Sequence, residues 1–407
     1  MSPLLIVLSI VLVDLMGFTI VMPLLPRFAD EYGFSKPQIG LLLAAFPLCQ
    51  LIAGPILGRL SDRFGRRPVL AVSQAGTAIS FFLLAFSRDY RMMLVARMLD
   101  GASGGNFLVA QAYIADVTPP ADRAKSYGLF GAAFGVGFVL GPLLAGLVMD
   151  LPLPGDWPLR LPFLIAGGFS TLAWILVILR LPESSSPENR ETARVLSWRG
   201  VVDTIKMPRV GLLVLVGALV TLAFATLEGT FSLYLKSRFN ATAGQSAFGF
   251  ALLGAIAVVI QGGLIRRLVP RFGEPRLIVA GLIAMAIGLA CLALAESALL
   301  LILGAVFLGS GYGMAGPSGM GLLSRLTPAA EQGAVFGVLA SAQTLARMIN
   351  YLVANALFGG FGPGVAYWEG AGIAAVGTIV AVWAVAGIVP GSEDAEAPRK
   401  PSAAVLE

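Results

Sequence analysis

The sequence predicts an all-α, polytopic membrane protein, and three observations carry that prediction. Of its 407 residues, 57% are hydrophobic and only 13% are charged, against about 25% charged in a soluble domain. Too little polar surface remains to cover a water-soluble globule. Apolar stretches of about 20 residues recur along the whole chain, each long enough to cross a hydrocarbon core of about 30 Å as a helix. They lack the alternation of a membrane β-barrel strand. Finally, Lys and Arg gather at one side of these stretches, which is the positive-inside pattern of a cytoplasmic face.

Taken in order, the spans are 4–26, 39–57, 68–87, 92–113, 126–149 and 161–181, then 210–235, 246–268, 277–295, 298–322, 333–358 and 365–389. This gives twelve transmembrane helices in two six-helix bundles, 1–181 and 210–389. A cytoplasmic linker, 182–209, joins them, and a polar, disordered tail, 390–407, follows. Of the 28 Lys and Arg residues, only Arg97 and Arg347 fall well inside spans. Seven (Arg27, Lys36, Arg88, Arg91, Arg160, Lys236 and Arg238) fall on the outer side if the N-terminus is inside, and the other 19 fall on the inner side. Both termini are therefore expected in the cytoplasm of a multi-pass protein of the cell membrane. Residues 1–10 lack a basic n-region, so the first apolar run reads as a retained helix and not a signal peptide.

The net charge of +5 is accounted for by topology, and no nucleic-acid partner is expected. The chain has no histidine, which excludes histidine zinc sites, Ser-His-Asp catalysis and histidine proton relays. Cys49 and Cys291 lie in separate apolar segments and read as packing residues. With no nucleophile–base pair, phosphate loop or metal cluster, the chain does not read as an enzyme, and no cofactor is expected.

One loop organises the map: Gly58-Arg59-Leu60-Ser61-Asp62-Arg63-Phe64-Gly65-Arg66-Arg67. So short a connection forces two spans to be antiparallel neighbours. A diminished copy occurs about 208 residues later, where Arg63-Phe64-Gly65 recurs as Arg271-Phe272-Gly273 and Asp62 is matched by Pro270. Repetition of six-helix units suggests two bundles related by an axis along the membrane normal, with a site between them.

These residues carry a resemblance. The loop, continued through Pro68-Val69-Leu70, resembles the signature of the major facilitator superfamily. Gly137-Phe138-Val139-Leu140-Gly141-Pro142 is similar to the Gly-x-x-x-Gly-Pro element of its drug/proton antiporters, with Ala145 in place of a usual glycine. Arg97 followed by Gly101 is similar to the proton-coupled members, with Asp100 where glutamine is frequent. Asp14-Leu15-Met16-Gly17 through Pro26 and Ala112-Tyr113-Ile114-Ala115-Asp116 resemble the tetracycline-efflux branch. Those exporters carry an acidic residue in place of Ser80 and a second-half histidine, both missing here. The resemblance implies the major facilitator fold and alternating access. It also implies gating by Gly58, Asp62, Arg63, Gly65, Arg66 and Arg67, the loop acting as a latch between bundles.

Read physically, a charge cluster that must break when bundles rock is a latch. Asp14 sits mid-span, where a bare carboxylate costs about 2.5–3.5 kcal/mol, so it must face a cavity or a partner. Arg97 and Asp100 share a helix face, and Asp14 lies at a matching depth. Proton coupling is therefore expected at Asp14, Arg97 and Asp100. Glu228, read as the only acidic residue well inside the second half, joins them. Gly137, Gly141 and Pro142 allow close helix approach and a local bend. The expected substrate lining is Phe18, Phe46, Gln50, Asn106, Gln111, Phe134, Phe138, Phe231, Tyr234, Tyr312, Gln343, Arg347 and Asn350, with Arg347 as a partner for Glu228 or an anion contact. A mostly apolar cavity of this kind suits a lipophilic solute. The expected function is proton-coupled export of amphiphilic small molecules by a monomer among membrane lipids. A symporter or facilitator for a metabolite or lipid is the first alternative, and a non-transporting receptor or scaffold the second.

Overall fold

The computed structural model describes residues 3–118, 123–184, 204, 207–328, 331–386 and 388, without the side chains of 123–125, 127, 128, 134 and 208. The expected tail and most of the expected linker lie outside the described residues.

Fourteen α-helices are described. In the first half they are α1 (Pro3–Glu31), α2 (Lys36–Phe64), α3 (Arg66–Phe86), α4 (Tyr90–Ser103), α5 (Asn106–Val117), α6 (Arg123–Met149) and α7 (Trp157–Arg180). In the second they are α8 (Pro208–Phe239), α9 (Ala243–Val259), α10 (Ile265–Phe272), α11 (Glu274–Leu294), α12 (Ala298–Leu326), α13 (Gln332–Phe361) and α14 (Pro363–Val385), with a π-helical turn, Ile260–Leu264, between α9 and α10. Ten helical stretches are long and apolar enough to cross a membrane.

Local chemistry sets the boundaries. The Asp89 carboxylate accepts from the N–H of Met92 (2.9 Å) and starts α4. Thr242 and Gln245 form a reciprocal capping box at the start of α9, which satisfies two otherwise orphaned N–H groups. Asn240, with φ 50°, ends α8 in the left-handed region. Between α2 and α3 a single residue, Gly65, turns the chain at φ 102°, ψ 157°; Gly273 does the same between α10 and α11 at φ 79°, ψ 153°. The weak sequence repeat is thus matched by the same backbone turn in each half.

The structure departs from the expected spans at several places. α2 runs on to Phe64 and α3 starts at Arg66, so the expected loop, 58–67, is helical except at Gly65. The stretch 92–113 is not one helix: it breaks at Gly104 and Gly105 into α4 and α5. Two adjacent glycines lower helix propensity by roughly 2 kcal/mol relative to alanines, and the Gln50 side-chain amide bonds the Gly104 carbonyl (3.0 Å). The first helix also runs past Pro26 to Glu31, which buries Arg27 in the fold.

Within the first half, α1 packs on α6 and α7, α3 on α7, and α2 on α4. Within the second, α8 packs on α13 and α14, and α11 on α12 and α14. The halves meet where α2 packs on α13, α6 on α9, and α1 on α8 and α9. Their closeness depends on small residues. A Cβ added at Gly40 on α2 would lie 2.6 Å from the Tyr351 carbonyl of α13.

The apolar core is lopsided. One cluster is continuous across both halves and includes Leu24, Phe28 and Leu42 of the first half with Phe231, Phe250 and Leu289 of the second. A second, with Ile6, Val7, Ile10, Val69, Tyr113 and Val177, belongs to the first half alone and lies at the basic-loop end. The halves share a core at one end and separate at the other.

Polar contacts follow the same division. At the far end, Arg27 donates to the Ala241 carbonyl (2.8 Å). Lys236 pairs with Asp30 (2.7 Å) and Glu31 (3.1 Å), while Lys36 also pairs with Asp30. Asp150 accepts from the Thr242 hydroxyl (2.6 Å) and the Gly244 N–H (2.9 Å). A carboxylate of the first half therefore sits on the N-terminus of α9, where the helix dipole favours it. Asp150→Asn keeps the shape and removes the charge. Spin labels at positions 151 and 240, in a background lacking Cys49 and Cys291, are expected to move apart and broaden in that variant. An unchanged distance distribution would count against a latch there. The same end is stiffened by Asp156, which accepts from Arg160 (2.7 Å) and Tyr32 (2.7 Å). The hydrogen bond from Arg160, helped by that from Tyr32, holds its carboxyl down to about 2. The stabilisation from that shift is present above the ordinary carboxylate range and lost only as pH falls through about 2, so this contact stays charged at neutral pH.

At the basic-loop end the bonds run within a half. Asp62 pairs with Arg66 (2.5 Å), which also reaches Asp116 (3.2 Å). Glu183 accepts from the N–H groups of Arg66 (2.8 Å) and Arg67 (3.1 Å) at the N-terminus of α3. In the second half, Arg325 pairs with Glu274 (3.5 Å).

Candidate functional site

Between the halves lies a cavity. Its first-half wall comes from α1 (Asp14, Leu15, Phe18), α2 (Phe46, Gln50), α3 (Thr77, Phe81), Asp100 of α4, the break at Gly104, α5 (Asn106, Phe107) and Phe138 of α6. The second half supplies Glu228, Tyr312 and Arg347 from α8, α12 and α13.

Five charged side chains belong to this region and fall into three units. On α4, Arg97 pairs with Asp100 (2.7 Å), their side chains 3% and 6% exposed. Across the cavity, Arg347 pairs with Glu228 (2.9 Å), and the Tyr351 hydroxyl donates to the same Glu228 oxygen (2.9 Å). Asp14 stands apart from both. One of its oxygens accepts from the Asn106 amide (3.2 Å), and the other is buried without a hydrogen-bond partner. Asn106 in turn donates to Gln74 (2.9 Å). A buried carboxylate oxygen without a hydrogen-bond partner is costly.

Aromatic rings link the units. Phe18 and Phe46 lie 5.6 Å apart between centroids. The Arg97 guanidinium sits over Phe46 (4.8 Å) and that of Arg347 over Phe18 (5.8 Å). Each arginine thus meets the negative face of one ring in an aromatic pair. Tyr312 stacks on Phe224 at 4.0 Å.

Of the residues singled out in the sequence, Asp14, Phe18, Phe46, Gln50, Asp100, Asn106, Phe138, Glu228, Tyr312 and Arg347 meet at this cavity. Arg97 lies just behind it. Phe231 and Tyr234 are packed in the second-half core: Phe231 meets Phe250 edge-on (5.2 Å), and Tyr234 donates to the Leu292 carbonyl (2.6 Å). Asn350 braces α13 against α8, donating to Leu222 (2.6 Å) and Thr226 (2.7 Å). Gln111 and Gln343 are half-buried elsewhere, and the Phe134 side chain lies outside the described residues. Gly137 and Gly141 press α6 against α1, where added Cβ atoms would meet the Leu15 Cβ at 2.8 Å and the Met16 carbonyl at 2.7 Å. Pro142 lies inside α6. Gly58 accepts from Ser61 through its carbonyl (2.7 Å), Gly65 makes the one-residue turn, Arg63 lies over Phe64 (5.3 Å), and Arg67 reaches the Ile178 carbonyl (2.5 Å).

Sequence reasoning missed Leu15, Thr77, Phe81, Phe107, Gln74 and Tyr351. The last had a legible signal, since it stands four residues from Arg347 on the same helical face. Glu228 is also not the sole acid inside the second half. Glu369 lies within the first two turns of α14 and accepts from the Thr226 hydroxyl (3.1 Å).

A family model described as the Major Facilitator Superfamily matches residues 7–272 and 264–406. The tetracycline resistance protein, class B, of Escherichia coli is 32% identical over 357 residues, covering 86% of each chain. Multidrug resistance protein 1 of Bacillus subtilis (strain 168) is 29% identical over 358 residues, covering 87% of this chain and 89% of its own. The crystal structure of the human organic anion transporter MFSD10 (TETRAN) superposes with a TM-score of 0.69 at 26% identity, covering 93% of this chain and 98% of that one. A bacterial homolog of the human lysosomal transporter Spinster, in an inward-facing and occupied conformation, superposes with a TM-score of 0.75 at 18% identity, covering 94% of each chain.

Proposed function

The chain belongs to the Major Facilitator Superfamily, and from that premise we propose a proton-coupled antiporter that exports amphiphilic small molecules by alternating access. It is a membrane transporter and not an enzyme. Transport of drugs is what the printed names of its tetracycline- and multidrug-resistance relatives say of those proteins.

The observation that carries the proton-coupled reading is Asp14. It is a carboxylate in a membrane-spanning helix, on the wall of a largely aromatic cavity, bonded by the Asn106 amide with Gln74 beside it, and outside ion-pair distance of any cation among the described residues. Such a group holds a proton when the cavity is dry and releases it when water or a cationic substrate group arrives. A proton and a substrate competing for one carboxylate is the minimal arrangement for exchange.

In this reading α4 and α5 form one broken span, and α13, 30 residues long, forms another. With the ten apolar stretches this gives twelve spans, with both termini cytoplasmic and the basic loop inside. The units 1–181 and 210–389 rock about the cavity. The shared core and the Asp30–Lys236 and Asp150–α9 contacts then close the outer side, and the cavity faces the cytoplasm. Asp62, in the last turn of α2, bonds within the first half in this state and engages the second half when the inner side shuts. Asp62→Asn is expected to lower transport at least tenfold (about 1.4 kcal/mol) with insertion and expression unchanged. Normal transport by that variant would remove the latch from the scheme.

The test of the proposal is accumulation of a fluorescent amphiphile by inverted membrane vesicles under an imposed pH gradient, inside acid. Accumulation that collapses when the gradient is dissipated supports it. Equilibrating flux indifferent to the gradient would favour a facilitator, and absence of saturable flux in proteoliposomes a receptor.

A further inference from the structure

We propose that the substrate is a zwitterionic aromatic amphiphile whose anionic group binds Arg347 and whose cationic group lies toward Asp14. The inference rests on the antiport reading above and names the chemistry of the molecule exchanged.

Arg347 is spoken for on one side only. Its Nε bonds Glu228 (2.9 Å), and its side chain remains 24% exposed on the cavity wall, whereas Glu228 is 2% exposed. Among the described residues, no protein group takes the two terminal nitrogens. A guanidinium presents planar, paired donors that match a carboxylate, sulfonate or phosphonate in a bidentate bond. Arg97, by contrast, is enclosed with Asp100 and offers nothing to the cavity. The exposed charge on the second-half wall is therefore a cation with spare donors, and it asks for an anion.

The first-half wall asks for the opposite. Arg97 with Asp100 and Arg347 with Glu228 balance pairwise, so the charge of the region is set by Asp14: neutral when it holds a proton, one negative charge when it does not. A purely anionic substrate would bind best when Asp14 is protonated. Proton and substrate would then travel together, which is not exchange. Exchange through Asp14 needs a substrate that brings a positive group as the proton leaves. Only a molecule carrying both charges satisfies Arg347 and Asp14 together. Both anchors border the same stretch of α1: Phe18, on whose face Arg347 lies, stands one turn from Asp14. Between the two anchors the lining is aromatic, with Phe18, Phe46, Phe81, Phe138 and Tyr312, so the body joining the charges is a flat, apolar ring system.

Four biphenyls test this, sharing one ring system: 4'-(aminomethyl)biphenyl-4-carboxylate, the analogue with only the carboxylate, the analogue with only the aminomethyl group, and the dimethyl compound. Equilibrium binding to the purified full-length protein in nanodiscs is measured by calorimetry without a gradient, so the result is independent of whether export occurs. The zwitterion is expected to bind at least about tenfold more tightly than either singly charged analogue. In Arg347→Gln it should fall to the affinity of the aminomethyl compound, and in Asp14→Asn to that of the carboxylate. Because Arg347→Gln strands Glu228, the double variant Arg347→Gln/Glu228→Gln serves as the balanced comparison and should show the same loss. Preference for a singly charged or uncharged analogue would overturn the proposal. So would an equal loss for all four in the double variant, or no saturable binding by any. Gradient-driven export alongside such a result would leave the antiport reading standing and remove this one alone.

Discussion

Asp14→Asn abolishes gradient-driven accumulation in inverted vesicles and spares substrate-for-substrate exchange: this is the largest functional effect expected of any single substitution in the chain. The reason is local. Asn keeps the size of the side chain and its place on the cavity wall, and its amide can still meet Asn106, but it cannot take up or release a proton. If the transport cycle must empty this carboxylate to load substrate, accumulation falls to the level of the dissipated gradient, while the rocking that carries bound substrate continues. The measurement pairs uphill uptake with counterflow in one vesicle preparation. Uphill uptake that persists at wild-type levels would move the coupling site elsewhere, Glu369 being the next acid to examine because it bonds a single hydroxyl, that of Thr226.

The second large effect is on stability. Asp100→Asn leaves the Arg97 guanidinium inside the first half without its ion partner, and the pair is almost wholly buried. Breaking a buried pair by removing one partner typically costs about 3–5 kcal/mol, because the remaining charge is stranded. The variant is expected to unfold at a clearly lower temperature in detergent and to express poorly. Arg97→Gln/Asp100→Asn removes both charges and should regain much of the loss. A double variant no more stable than Asp100→Asn would mean that the pair is not the source of the effect. The two arms also separate structure from coupling: a restored double variant that binds substrate yet fails to accumulate it would give Arg97 and Asp100 a part in proton movement.

The spans were legible because a bilayer imposes a length and a polarity on any helix that crosses it, and these leave a mark on every stretch of about 20 residues. Mid-span charges were legible for the same reason. Asp14, Arg97, Asp100, Glu228 and Arg347 are conspicuous where charge is expensive, and four of the five line the cavity while Arg97 stands behind its wall. What one sequence could not supply was pairing. Nothing in the chain says that Arg347 holds Glu228 and leaves Asp14 alone, since those choices depend on the angles at which helices cross. Aromatic residues were ambiguous because a ring fits cavity, core and lipid equally well; Phe18 and Phe231 look alike in sequence and sit in different surroundings. The break at Gly104 and Gly105 was hidden because glycines are tolerated within membrane helices when neighbours satisfy the freed carbonyls, and Gln50 does so here. The far-end contacts were hidden too. Asp30, Asp150 and Lys236 fall outside the expected spans and read as ordinary solvated charge until the tertiary structure brings them together.

The lopsided core has a thermal consequence. Parting the end where both halves share one apolar cluster admits water to surface that is dry in this state, whereas closing the opposite end removes surface already wet. Hydration of apolar area carries a positive heat capacity. Where the wetted area at the parted end exceeds the area dried at the other, the balance between the two states bends with temperature, and a van't Hoff plot of their ratio is curved. For such a carrier the preferred facing is then a property of temperature as well as of gradients.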